Sequence, residues 1–168
     1  MRQSRLFSFP NPVNEVSARL VAAGVVAMSV LFVATRWEWI LIPLAYGFLA
    51  RVATGPTLSP LGQFVTRVLT PALPLAPKET PGPPKRFAQA IGATLSTAAF
   101  VSAYAFDNVT VAVVLVAMIL AAASLESFAG FCIGCRLFAA LMRAGVIPET
   151  VCEECNDIWR RVPAPVTH

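Results

Sequence analysis

Long apolar runs separated by charged or proline-rich breaks limit what this chain can fold into more than any other feature. The first, Leu20–Thr35, reads LVAAGVVAMSVLFVAT. The run Phe87–Phe106 and the run from Val109 through Leu125 are similar in kind. A transmembrane helix needs about 20 largely apolar residues. The chain as a whole is 57% hydrophobic and only 13% charged. Soluble domains are roughly half apolar and a quarter charged. The surplus points to lipid as the solvent, so the lipid bilayer is the first partner expected.

Asn14 is a good helix cap, and Glu15 lies where the helix dipole favours an acid. A first span over 16–35 follows, with Arg19 able to snorkel to the headgroups. The segment before it is polar and no small-residue cleavage site clearly follows the run, so it is expected to be retained rather than removed as a signal peptide. A second span over 37–53 is short and holds Pro43. Arg36-Trp37-Glu38-Trp39 gives it a tight entry and interfacial anchors. The alternative is a half-span. Residues 54–86 form a proline-rich connection, and within it Leu61, Phe64, Val65 and Val68 fall at helical spacing. That pattern predicts a short amphipathic helix, either lying on the membrane or packed on the bundle. The third and fourth spans are expected at 87–106 and 109–128, turning at Asp107-Asn108. Helix is expected to run on past Glu126 toward Met142.

Four spans put the amino terminus, the long connection and the carboxyl terminus on one side. That side carries twelve of the thirteen basic residues, and the other only Arg36. The positive-inside rule makes it the cytosol. It also argues against the half-span, which would leave the basic residues of the long connection outside. The expected fold is therefore all-α: a multi-pass plasma-membrane protein of four transmembrane helices in one domain over 1–168. A cytosolic cysteine region over 129–160 would form a helical hairpin.

The chemistry lies in four cysteines, Cys132-x-x-Cys135 and Cys152-x-x-Cys155. Two C-x-x-C pairs sixteen residues apart fit a four-thiolate zinc site, the first reading, which would fasten the C-terminal tail onto the end of the fourth span. A helix ending at Gly145 and a second starting at Pro148 would bring the pairs together. Each pair also has the spacing of a redox dithiol. Cys132 and Cys135 lie at a helix start or break beside Arg136, which lowers a thiol pKa, whereas Glu153 and Glu154 raise those of the second pair. Such pairs would pass electrons between a cytosolic thioredoxin-like partner and a membrane substrate, with Cys132 and Cys135 catalytic. Ordinary reduced thiols on helices are the third reading, since the cytosol disfavours structural disulfides.

Other polar residues say less. Glu126 is the acid of the fourth span. It either sits at the interface or faces the bundle interior, with Arg19 and Arg51 as candidate partners. Gln63, Gln89 and Ser96 are suited to hydrogen bonds between helices. Gly130 and Gly134 form a G-x-x-x-G pair that permits close helix approach. His168, the single histidine, is terminal, so no Ser-His-Asp set can be built. The basic residues are scattered and lack interleaved aromatics, which excludes nucleic acid. So few polar residues lie inside the spans that solute transport needs a homo-oligomer.

Asn14-Glu15 with Arg19, the segment Gly55–Gly62 (GPTLSPLG), Lys85–Gln89 (KRFAQ) and Gly130–Cys135 (GFCIGC), followed by Cys152 and Cys155, resemble a bacterial membrane family known as domain of unknown function 4395. The resemblance covers nearly the whole chain. It implies an inner-membrane protein and no particular activity. Its relatives' association with thioredoxin-like or sulfurtransferase proteins favours thiol chemistry.

Overall fold

The computed structural model describes residues 11–74 and 78–152. Cys155, Arg2, Arg5, Arg160, Arg161 and His168 lie outside the described residues.

Asn14 caps the first helix as its side chain dictates. Its Oδ1 accepts the Val16 backbone N–H at 2.9 Å, and α1 runs over Glu15–Thr35. Arg36 ends it in the left-handed region at φ 59°. The second apolar run is not one helix from residue 37. Trp37 is extended, Glu38–Ile40 is a 3-10 turn, and α2 covers Leu41–Thr54. Pro43 is tolerated because it falls in the first turn of α2, where its missing N–H has no helical partner to lose.

The proline-rich connection is more ordered than expected. It contains α3 (Pro60–Phe64), a π-helical turn (Val65–Leu69) and α4 (Thr70–Ala72). Its amphipathic stretch packs on the bundle through one face. Leu61 packs into the notch at Gly24 of α1 and Val65 is fully buried, while Phe64 and Val68 face outward. A feature without sequence warning is a small antiparallel ribbon. β1 (Val13–Asn14) pairs with β2 (Glu79–Thr80), and the Glu15 N–H donates to the Lys78 carbonyl at 2.7 Å.

The third long helix, α5, starts five residues earlier than expected and covers Gly82–Phe106. Its first turn absorbs Pro83 and Pro84, which need no backbone donors there. Asp107 turns the chain at φ 49°. Asn108 caps α6 (Val109–Ala129) through the Val111 N–H at 3.1 Å. Helix does not continue to Met142. Gly130 adopts φ 64°, the chain breaks over Phe131 and Cys132, and a separate α7 runs over Ile133–Arg143. As expected, Gly145 follows its end, with φ 73°; after Pro148, where a second short helix was expected, Glu149–Val151 is a 3-10 turn.

α1 packs mainly on α6, α2 on α5, and α5 on α6, with α7 folded back along α5. Ends of opposite chain direction meet: Arg19 near the start of α1 reaches Ser127 and Phe128 at the end of α6. Arg51 at the end of α2 likewise reaches Gln89 near the start of α5. The four long helices therefore alternate in direction. Their core joins Phe32, Leu41, Leu44, Phe48, Ala99, Val116 and Ile119. The Phe48 ring occupies the space that a side chain at Gly92 would need. The polarity is partly inverted. Ser29 and Ser96 are fully buried, while Val30, Leu31, Ile42, Leu49, Val114 and Met118 are exposed.

The described residues are thus all-α apart from the ribbon. Two helices, Glu15–Thr35 and Val109–Ala129, are long and apolar enough to cross a bilayer. At 14 residues α2 falls short of that length, and α5, with 25, carries Lys85, Arg86, Gln89 and several hydroxyls.

Candidate functional site

The break after α6 creates the site. Gly130 closes α6 by donating to the Glu126 carbonyl at 3.1 Å, and Phe131 donates to the Leu125 carbonyl at 3.0 Å. Its positive φ is easy for glycine because no Cβ opposes it. The chain then re-enters helix at Cys132, which is extended and serves as the N-cap of α7. Its Sγ takes the place of the usual cap oxygen and accepts the Cys135 backbone N–H at 3.3 Å. Cys135 lies one turn into α7, so the C-x-x-C spacing puts both thiols at the helix N-terminus. Both are free and half-buried.

The two glycines of the G-x-x-x-G pair do separate jobs. Gly130 turns the chain. Gly134 lets α7 lie directly on α5, where a Cβ would stand 2.6 Å from the Ala88 Cα and 2.5 Å from its Cβ. The dithiol is thereby fixed to the start of α5, which carries Lys85.

The Lys85 Nζ lies 2.5 Å from Glu126 Oε1, and the two side chains are 10% and 15% exposed. Glu126 thus faces the bundle rather than the solvent edge. Its partner is Lys85, not either of the arginines expected. Arg19 instead donates to the Ser127 and Phe128 carbonyls, and Arg51 to Gln89 and Ser59. Arg136 lies over Phe131, its guanidinium 5.2 Å from the centre of the ring. The cation that acts on the thiols is therefore Lys85. It shares with Cys132 and Cys135 the wall of a polar cavity of about 520 Å³, rimmed by Glu15, Arg136 and Arg143.

The two sulfurs are driven apart electrostatically. The Cys132 pKa is lowered, chiefly because the Cys135 thiol donates to it, with help from Lys85 and the backbone N–H, against burial and Glu126. That of Cys135 is raised far up by the same thiol bond seen from the donor side, then by burial and the charge of Cys132. Both sulfurs are half-buried to a similar degree, and of the two Cys132 is the one whose thiolate is favoured.

The second pair fares differently. Cys152 is buried and disulfide-bonded. A four-thiolate zinc centre at Cys132, Cys135, Cys152 and Cys155 would need that sulfur reduced. Among the described residues no group of three or more His, Cys, Asp or Glu side chains is placed to hold a metal.

Sequence reasoning missed Lys85 as a neighbour of the thiols; it entered only as a topological charge and as part of the KRFAQ segment. The available signal was that Lys85 and Glu126 stand at the same end of two neighbouring spans. A family model, Domain of unknown function (DUF4395), matches residues 13–143. No curated protein and no solved structure matches the chain.

Proposed function

Starting from the fact that the chain belongs to the family named domain of unknown function (DUF4395), we propose that it is a membrane thiol–disulfide oxidoreductase whose working pair is Cys132 and Cys135. One observation carries this reading: Cys132 Sγ sits at the start of α7 and accepts the Cys135 N–H, the geometry that stabilises a thiolate. In the reducing direction the Cys132 thiolate attacks one sulfur of a partner protein's disulfide. A mixed disulfide forms, and the displaced partner thiolate takes up a proton. Cys135 then gives its proton to solvent in the open cavity and attacks Cys132 Sγ. The mixed disulfide breaks, and the partner leaves as a dithiol. Two electrons have moved from Cys132 and Cys135 to the partner, which we take to be a thioredoxin-like protein. The reverse sequence reloads the pair from a reduced partner.

We further propose four crossings with both chain ends in the cytosol. The alternating helix directions support this, as does the apolar outer face of Val30, Ile42, Leu49, Val114 and Met118. So does the clustering of Arg19, Arg51, Lys85 and Arg86 at one end of the bundle, with Trp37 and Trp39 at the other.

The test is a trap. Cys135→Ser protein, reconstituted and mixed with oxidised thioredoxin, accumulates a reducible adduct through Cys132, whereas Cys132→Ser protein does not. Absence of the adduct under oxidant challenge removes the redox reading. About one zinc per chain with all four thiols protected from alkylation would replace it with the metal centre. An impermeant thiol reagent added to intact cells is expected to leave Cys132 unmodified, and modification from outside inverts the topology.

A further inference from the structure

The dithiol cavity has two banks, α7 on one side and β2 with the start of α5 on the other. Along α7, Cys132, Cys135, Arg136, Ala139 and Arg143 recur at three- and four-residue steps, so a single helix face lines the cavity. At a rise of about 1.5 Å per residue, Arg136 stands about 6 Å and Arg143 about 16 Å along the axis from Cys132. Both arginines are exposed. Lys78 on the opposite bank pairs with Glu15 at 2.8 Å, and Lys85 pairs with Glu126. Glu79 of β2 is not on the wall. Among the described residues no carboxylate pairs with Arg136 or Arg143. With Cys132 as thiolate, the cations Lys78, Lys85, Arg136 and Arg143 face three anions, Glu15, Glu126 and the sulfur. Once Cys132 enters a mixed disulfide its charge is gone, and the same four cations face two carboxylates.

We propose that this cavity selects a disulfide flanked by carboxylates, borne on an extended acidic segment of the partner protein that lies along α7 over Arg136 and Arg143. The proposal rests on the thiol reading of Cys132 and Cys135. An extended strand advances about 3.3 Å per residue, so the carboxylates that meet the two arginines fall about two and five residues from the partner's cysteine. Unpaired positive charge steers the encounter. Because the excess grows when the Cys132 thiolate is consumed, the docked acids also stabilise the mixed disulfide.

The probes are symmetric disulfides of one short peptide, with Glu, Gln or Lys placed two and five residues from its cysteine on either side. Each reacts with the full-chain Cys135→Ser protein in zwitterionic-lipid nanodiscs. Cys132 attacks one sulfur, a mixed disulfide forms and one peptide thiolate leaves. Mass spectrometry times the adduct at Cys132, and each rate is divided by that of the same peptide with 2-mercaptoethanol. The Glu peptide is expected to react about tenfold faster than the Gln peptide at low salt, and the Lys peptide more slowly than either. The preference is expected to fade by about 0.5 M salt. Adding Arg136→Gln and Arg143→Gln together should bring the Glu and Gln rates within about twofold. Arg143→Glu alone should lower the preference, and it decides the matter if the double variant does not fold. Equal Glu and Gln rates, or a preference unchanged in these variants, overturns the proposal while leaving the thiol reading intact. So does an equal gain for dithiodiglycolate over hydroxyethyl disulfide, since its short acids do not reach Arg143 and the site would then serve small anions. If no peptide forms an adduct at Cys132, the thiol reading fails and the proposal falls with it.

Discussion

Neutralising Lys85 and Glu126 one at a time and together separates a structural role from a chemical one. Their contact is 2.5 Å long and the side chains keep only 10% and 15% exposure. Removing one partner of a buried pair costs about 3–5 kcal/mol, because the other charge is stranded. With this residual exposure the lower end applies, about 3 kcal/mol for Lys85→Met or for Glu126→Gln. For a chain of this length that is about 6–12 °C in Tm. The double variant strands no charge, so its cost is expected to fall below the sum of the two by about 2 kcal/mol. Cys132 reactivity moves differently. Lys85 lowers the Cys132 pKa and Glu126 raises it. Lys85→Met should therefore slow alkylation of Cys132 at neutral pH and Glu126→Gln should speed it, although both destabilise. A charge effect of only about 1 kcal/mol gives roughly fivefold in thiolate population. The assays are thermal unfolding in nanodiscs and timed iodoacetamide labelling read by mass spectrometry. Additive stability losses, or labelling rates that shift in the same direction, would refute the assignment of Lys85 as the cation acting on the dithiol.

Other outcomes follow from single contacts. Cys132→Ser is expected to keep the fold within about 1 kcal/mol, since serine is a favoured N-cap, while losing all mixed-disulfide chemistry. Labelling of Cys132 should rise with pH at a midpoint below the ordinary 9.0, with Cys135 silent throughout that range. Because the folded value is the lower one, the Cys132 thiolate contributes stability above the unfolded value. That contribution is lost as pH falls through the folded one, as denaturant midpoints across pH would show. Gly134→Val places a side chain against the Ala88 backbone and is expected to cost about 1–3 kcal/mol in thermal unfolding while altering Cys132 labelling. Asn14→Ala removes the cap of α1 and should cost about 1 kcal/mol with no change in labelling.

The helices were legible where local chemistry alone decides. Asn14, Asp107-Asn108 and Gly145 mark boundaries through capping and positive φ, and these fell where the sequence placed them. The break at Gly130 was only half legible: Cys132 and Cys135 were placed at a helix start or break, yet a glycine among apolar residues is also compatible with the continuing helix expected toward Met142, until Cys132 is seen to cap the next one. The ribbon of Val13–Asn14 with Glu79–Thr80 depends on two segments 65 residues apart meeting, which no short-range pattern encodes. For the site, spacing singled out Cys132 and Cys135. It could not show that Arg136 turns to Phe131 and that Lys85, on another helix, takes its place. Side-chain direction across a helix interface is a packing outcome.

The seat of Gly134 on Ala88 has a mechanical consequence. Ala88 lies less than one turn from Lys85 on the same helix, so the sulfurs and the cation that acts on them share one mount. In the proposed four-crossing arrangement, a thicker or thinner bilayer that changes the inclination of α5 carries thiols and ammonium together and preserves their spacing. The proposed nucleophile is in this way insulated from the mechanical state of the lipid around it.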